Sequence, residues 1–243
     1  MRVQEDGPSQ TSSAVVRELW KKSFLWLVGF LLFMGAALFL PAYSVTWSEG
    51  WWFMGVFAAC LALNFLVLLK VNPELVQIRL GTEREAKPWD TVLARCLGGM
   101  WVITVIVAGL DHRFQWTPQT GSWPKVVGLA LFVVANLIVL WAMSVNKFFA
   151  KFVRIQTERG HTPIARGPYR YVRHPGYAGW ILMTIAGALA LGSAWAAIPA
   201  GCSILLLVVR TALEDRTLRQ ELAGYEDYTQ RVGYRLAPWL WMV

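Results

Sequence analysis

Histidine and cysteine are scarce in this chain, with three of each in 243 residues. No group of His, Cys, Asp and Glu has the spacing of a metal site, so metal-dependent chemistry finds no ligand set. A Gly-x-Gly-x-x-Gly turn and a Gly-x-x-x-x-Gly-Lys-Ser/Thr loop are missing, which argues against Rossmann-type and P-loop nucleotide binding. The Gly-x-Ser-x-Gly elbow of serine hydrolases is missing too. Acidic residues are few, 15 against 23 Lys and Arg, giving a net charge of +8. The basic residues flank apolar runs, so anionic lipid is a simpler partner for them than nucleic acid, and no nucleic-acid binding is expected.

Apolar residues are abundant instead. They make up 56% of the chain, above the about 45–50% usual in soluble domains. They gather in blocks that read as membrane spans: residues 24–45, 51–69, a short run at 96–110, 126–145, and a long run at 177–209. A single helix over 177–209 would be about 50 Å long, well beyond the roughly 30 Å of hydrocarbon. Gly192-Ser193 supplies a turn near its middle, and Pro199 falls in the first turns of the second half. A helical hairpin of two halves, each about 24 Å, follows. The fold expected is an all-α integral membrane protein of about six transmembrane helices, this hairpin included.

Charge tests the count independently, because Lys and Arg mark cytoplasmic loops. With six spans and both termini cytoplasmic, only Arg113 and Lys125 of the 23 basic residues fall on the outer side. Five spans would put the C-terminal arginines on the wrong side. The chain divides into a polar N-terminal segment (1–22), N-terminal spans (23–155) with an interfacial loop (71–95), and a C-terminal unit (156–243). Nothing in the polar segment resembles a cleaved signal peptide. Within the loop, Asn72-Pro73-Glu74 opens a short surface helix, and Ala86-Lys-Pro-Trp-Asp90 reads as an interfacial turn with a Trp anchor. Asp111-His112-Arg113 reads as a span cap. Cys60, Cys96 and Cys202 lie within spans and read as buried thiols. Leu213, Leu218, Leu222, Tyr225 and Val232 recur at near-helical spacing, which predicts a cytoplasmic amphipathic helix over 213–232, ended by Gly233.

Polar chemistry meets the membrane at Arg166-Gly-Pro-Tyr-Arg-Tyr-Val-Arg-His-Pro-Gly-Tyr-Ala-Gly179. Charged side chains beside hydrocarbon are costly unless they pair, snorkel or serve a site. A second polar group, Arg210-Thr-Ala-Leu-Glu214-Asp215, closes the last span. The hairpin brings the two together, since its legs start and finish on one side. Arg210 and Glu214 are four apart and share a helix face. Arg173 and Arg210 are candidates to clamp a carboxylate. Arg166 and Arg170 read as lipid-phosphate anchors, and Tyr225 and Tyr228 as packing.

The run Gly-Pro-Tyr-x-Tyr-Val-Arg-His-Pro-Gly-Tyr-x-Gly, followed by a hairpin and Arg-x-x-x-Glu-Asp, resembles the isoprenylcysteine carboxyl methyltransferase family and the related membrane phospholipid methyltransferases. The resemblance extends over residues 161–238, with Tyr225-x-x-Tyr228 and Arg235-x-x-Pro238, and is slight in the earlier spans. It implies methyl transfer from S-adenosyl-L-methionine to a hydrophobic or lipidated small-molecule or peptide substrate that enters from the bilayer. It further implies that His161, Gly167, Tyr169, His174, Pro175, Tyr177, Glu214 and Asp215 bind the cofactor. Arg173, His174, Arg210 and Glu214 become the catalytic candidates. The family often has Glu where this chain has Asp215. A carboxylate acceptor is already ionised at pH 7 and needs no strong base; an amine acceptor would gain from His174 or Glu214. A membrane reductase with a nicotinamide cofactor and a non-catalytic lipid- or partner-binding protein are the alternatives that the residues alone leave open.

Overall fold

A backbone that crosses hydrocarbon must satisfy its polar groups internally, so apolar runs of this length become helices. The computed structural model of the chain describes residues 8–80, 86–118, 121–238 and 240–242. Its helices are α1 (Pro8–Ala42), α2 (Ser48–Val71), α3 (Pro73–Leu80), α4 (Pro88–Phe114), α5 (Ser122–Val145), α6 (Pro175–Ala190), α7 (Ala197–Glu221) and α8 (Tyr225–Arg231). Two short strands, β1 (Tyr234–Ala237) and β2 (Leu240–Met242), pair antiparallel after α8. Five helices are long and apolar enough to cross a membrane: α1 over Arg17–Ala42, α2, α4, α5 and α7.

The run expected at 96–110 is only the middle of α4, which has 27 residues. Its polar ends, Pro88-Trp-Asp90 and Asp111-His-Arg113, are helical turns that a hydropathy reading leaves out. The loop before it contains the short helix expected after Asn72, α3, with Leu75 and Val76 buried in the core of the bundle. Residues 81–85 of that loop, with Arg84, lie outside the described residues, as do residues 1–7 and Val243. α1 begins at Pro8, so the first helix extends back into the polar segment. Cys60 is buried, but Cys96 and Cys202 are exposed on the bundle surface, where a span meets lipid and not the protein core.

The hairpin forms as α6 and α7, joined by a turn through Gly192 (φ +66°), with Pro199 in the first turn of α7. α6 has only 16 residues. Its packing on α5 explains this. A Cβ on Gly128 would lie 2.4 Å from the Ala190 backbone nitrogen, and one on Gly179 would lie 2.7 Å from Val139 Cγ2. Only glycine lets the two backbones approach so closely. The same contacts set Gly179 level with Ala135 and Val139, so α6 starts about one turn inside the end of α5. Irregular chain, residues 146–174, fills the space below it.

The C-terminal helix expected over 213–232 is two helices. α7 stops at Glu221, Gly224 turns through φ +79°, and α8 begins at Tyr225. That left-handed turn is open to glycine without strain. It folds α8 back, so that Leu222, Tyr225, Tyr228 and Val232 pack with Ile155 and Leu218. α8 ends at Arg231, ahead of Gly233.

Candidate functional site

The base of the bundle, where α6 begins and α7 ends, is built around carboxylates. Asp215 is fully buried. Arg173 donates to it bidentately, Nε to Oδ1 at 2.9 Å and Nη2 to Oδ2 at 3.1 Å. Arg235 Nε donates to Oδ2 at 3.0 Å and the Tyr225 hydroxyl to Oδ1 at 3.0 Å. His174 Nε2 lies 3.4 Å from Oδ1. Arg173 also donates to the Val232 and Gly233 carbonyls at 2.8 and 3.1 Å. The backbone N–H groups of Arg173 and His174 donate to the Tyr234 and Arg235 carbonyls. Asp215 thus binds the start of α6 to the C-terminal chain.

Arg210 and Glu214 share a face of α7 but do not pair. Arg210 turns to Asp90 at the start of α4, with Nε–Oδ1 2.7 Å and Nη2–Oδ2 3.0 Å, and donates to the Lys151 carbonyl at 2.9 Å. Asp90 also accepts the Val153 N–H at 2.7 Å. The Arg210 guanidinium lies 5.2 Å from the centre of the Tyr177 ring, a cation–π contact. Glu214 accepts a hydrogen bond from the Tyr177 hydroxyl. No basic side chain lies within ion-pair distance of it among the described residues. The rings of His174 and Tyr177 are parallel, with centroids 5.7 Å apart.

These groups border a cavity of about 520 Å³, within the usual range for small-molecule sites. Of the residues singled out in the sequence, His161, Tyr169, Arg173, His174, Tyr177, Arg210 and Glu214 line it. Gly167, Pro175 and Asp215 do not: Gly167 packs on Val145 and Trp141, Pro175 is buried in the first turn of α6, and Asp215 lies behind the wall. Away from the base the lining turns aromatic and aliphatic, with Phe57, Trp101, Phe132 and Trp180. Phe57, Trp101 and Phe132 form one cluster with centroids 6.1 to 6.3 Å apart.

His161 packs against Phe148 with the rings tilted by 35° and centroids 4.3 Å apart, and its Nδ1 accepts the Gln156 N–H at 3.3 Å. Burial, with Arg159 and Arg154 nearby, lowers its pKa to about 4, so the ring is neutral at pH 7. Burial raises the pKa of Tyr169, Tyr225 and Tyr228 above the ordinary value, keeping them as phenols. Tyr228 donates to the Tyr169 carbonyl at 2.6 Å, and Asn146 donates to the Tyr169 hydroxyl at 3.1 Å. Among the described residues no cluster of three or more His, Cys, Asp or Glu could hold a metal.

Known proteins resemble this arrangement. The profile of the "Isoprenylcysteine carboxyl methyltransferase (ICMT) family" matches residues 127–220, which run from α5 to the end of α7. A "Probable protein-S-isoprenylcysteine O-methyltransferase" of Oryza sativa subsp. indica is 30% identical over 154 residues, 58% of this chain and 78% of the relative. The chain belongs to the isoprenylcysteine carboxyl methyltransferase family. The "Protein-S-isoprenylcysteine O-methyltransferase" of Rattus norvegicus is 25% identical over 142 residues, 52% of this chain and 48% of the relative. The fold also matches the structure of "the eukaryotic intramembrane Ras methyltransferase ICMT", with a TM-score of 0.53 at 19% identity, over 94% of this chain and 86% of that one. The chain is a multi-pass membrane methyltransferase of the isoprenylcysteine carboxyl methyltransferase family.

Family resemblance in the sequence pointed to the C-terminal unit and passed over residues of the earlier spans that line or brace the cavity. Asp90 read as part of an interfacial turn, although a lone carboxylate in the first turn of a span was a signal. Asn64 and Asn136, polar residues inside apolar runs, were another. Tyr225 and Tyr228 do pack, but both also line the cavity.

Proposed function

We propose that the protein transfers a methyl group from S-adenosyl-L-methionine to the carboxylate of a hydrophobic or lipidated acceptor of the prenylcysteine class, for which its relatives are named. One observation carries this reading: Glu214 lines the cavity with the Tyr177 hydroxyl as its donor and, among the described residues, no basic group within ion-pair distance, the nearby Arg210 being paired with Asp90. A carboxylate removed from bulk water favours a cationic partner, and a sulfonium donor with its ammonium group suits that need. His161, Phe148, Tyr169, His174 and Tyr177 offer the aromatic surface to hold an adenosyl group. When bound, the donor supplies an electrophilic methyl group on sulfur.

The chain's own residues do the rest by placement. Tyr177 orients Glu214. Asp90 holds Arg210 rigidly, so its positive charge faces the cavity at a fixed point and can attract an acceptor carboxylate. Arg173, held at the wall by Asp215, supports His174. The aromatic end receives the hydrophobic tail and excludes water, which favours alignment in a dry site. No general base is required for an ionised carboxylate. The methyl-transfer unit is residues 156–243, and the spans of 23–155 wall the tail's chamber. The basic-residue pattern supports both termini being cytoplasmic, with the base at that face.

Purified protein in detergent is expected to gain thermal stability from S-adenosylhomocysteine and none from NADPH. With labelled S-adenosylmethionine it should label a prenylcysteine-type carboxylate. Stabilisation by NADPH alone would replace this reading with a reductase.

A further inference from the structure

The cavity reaches only part-way through the bundle. Its deepest lining residues are Phe57 on α2, Val102 on α4, Phe132 on α5, Thr184 on α6 and Ser203 on α7. One turn beyond, each of these helices is closely packed. Phe53, Val105 and Ala200 are buried. A Cβ on Gly128 would collide with the Ala190 backbone, and one on Gly187 would touch Trp101 at 3.7 Å and Phe53 at 3.8 Å. The Phe53 ring meets Phe132 edge-on, centroids 5.4 Å apart. The hydroxyls of Thr184 and Ser203 donate to carbonyls of their own helices, Ile181 and Pro199, so this end presents hydrocarbon. Phe57, Trp101 and Phe132 thus form an aromatic floor backed by Phe53.

Helix geometry gives the depth of that floor. Ser203 lies seven residues before Arg210 on α7, and Thr184 seven after Tyr177 on α6. On α5, Phe132 lies seven before Val139, which packs on Gly179. At 1.5 Å per residue each interval is about 10 Å. A lipid tail fills one leaflet, about 15 Å of the roughly 30 Å hydrocarbon core, and the chamber is shorter than that. Aromatic pairs bridge its sides, Trp26 of α1 with Phe65 of α2 at 5.6 Å and Trp101 of α4 with Trp180 of α6 at 6.3 Å between centroids. Volume points the same way. About 520 Å³ suits one drug-sized ligand, yet methyl donor and acceptor share it.

We propose that the floor of Phe57, Trp101 and Phe132 limits the length of the acceptor's tail, so that carboxylates with a short prenyl tail, of about one or two isoprene units, are the preferred class and tails of full lipid length are poor substrates. A short tail covers the floor and leaves the packed rings in place. A longer one must fold back, push into those rings or part an aromatic pair, and overfilling a packed site is unfavourable. The inference rests on the methyl-transfer reading above and adds a size limit to the same cavity.

The test uses S-prenylcysteine acceptors of one, two, three and four isoprene units. With wild-type protein and labelled S-adenosylmethionine, kcat/KM should be highest at one or two units and fall about tenfold by four, mainly through KM. Phe132→Leu removes ring volume at the floor and should move the optimum to longer tails. Ser203→Leu adds volume there and should penalise them further. S-adenosylhomocysteine affinity should stay within about twofold in both. A residue that only stabilises the fold would lower the thermal midpoint and scale all four acceptors by one factor, leaving the optimum in place. Wild-type protein whose kcat/KM stays level or keeps rising through four units overturns the inference alone, whether or not the variants fold, because the tail then leaves the bundle sideways. Wild-type protein that methylates none of the four overturns the acceptor reading and the inference together.

Discussion

Two neighbouring carboxylates on α7 have opposite surroundings. Asp215 is enclosed by Arg173, Arg235, Tyr225 and His174, whereas Glu214 has the hydroxyl of Tyr177 and the open cavity. The far end of the bundle repeats the first pattern. There Asp111 is buried and accepts from the Thr117 N–H at 2.8 Å, the Thr117 hydroxyl at 2.6 Å and the Ser193 hydroxyl. Glu49 is likewise matched by Lys125 at 2.6 Å. A carboxylate with every lone pair occupied holds elements together. One left short of partners at a cavity wall has capacity for a ligand.

That contrast can be broken by mutation. Asp215→Asn leaves buried guanidinium groups without their counter-charge and should cost about 3–5 kcal/mol in unfolding free energy in detergent. Asp111→Asn should cost less, about 1–3 kcal/mol, with kcat/KM held within roughly twofold, because it lies at the opposite end from the cavity's base. Tyr177→Phe removes the hydrogen bond that Glu214 accepts from Tyr177 and should raise the KM for the methyl donor about tenfold, with a small change in thermal midpoint. The smallest effect concerns pH. The unfolded His161 takes up a proton near 6.5, and the folded one only near 4. Between those values the unfolded chain binds more protons, so stability falls as pH drops through this window. A thermal series from pH 7 to 4 should show that loss in wild type and less of it in His161→Phe.

The spans, the hairpin and the meeting of residues 173–177 with 210–215 were legible in the sequence, because long apolar runs with basic flanks constrain topology strongly. The partners within that meeting were not. Spacing put Arg210 beside Glu214, yet Asp90, 120 positions away, takes the guanidinium bidentately. Helical periodicity carried the last helix through Gly224, where tertiary packing of Tyr225 and Tyr228 favours a break. A run of hydropathy likewise hides a lone Asn64 or Asn136, since one amide barely changes an apolar average. Which signature residues line the cavity and which support it from behind, as Asp215 does, depends on side-chain direction, and sequence order does not encode that directly.

Equilibrium binding of S-adenosylmethionine to wild type and to Glu214→Gln, in detergent at pH 7, is the most direct test of the unmatched carboxylate. The wild type should bind saturably and the variant roughly hundredfold more weakly, as expected for the loss of about 2–3 kcal/mol of charge-assisted contact. Equal affinity in the two proteins, with both folded, would contradict the placement of the methyl donor at Glu214.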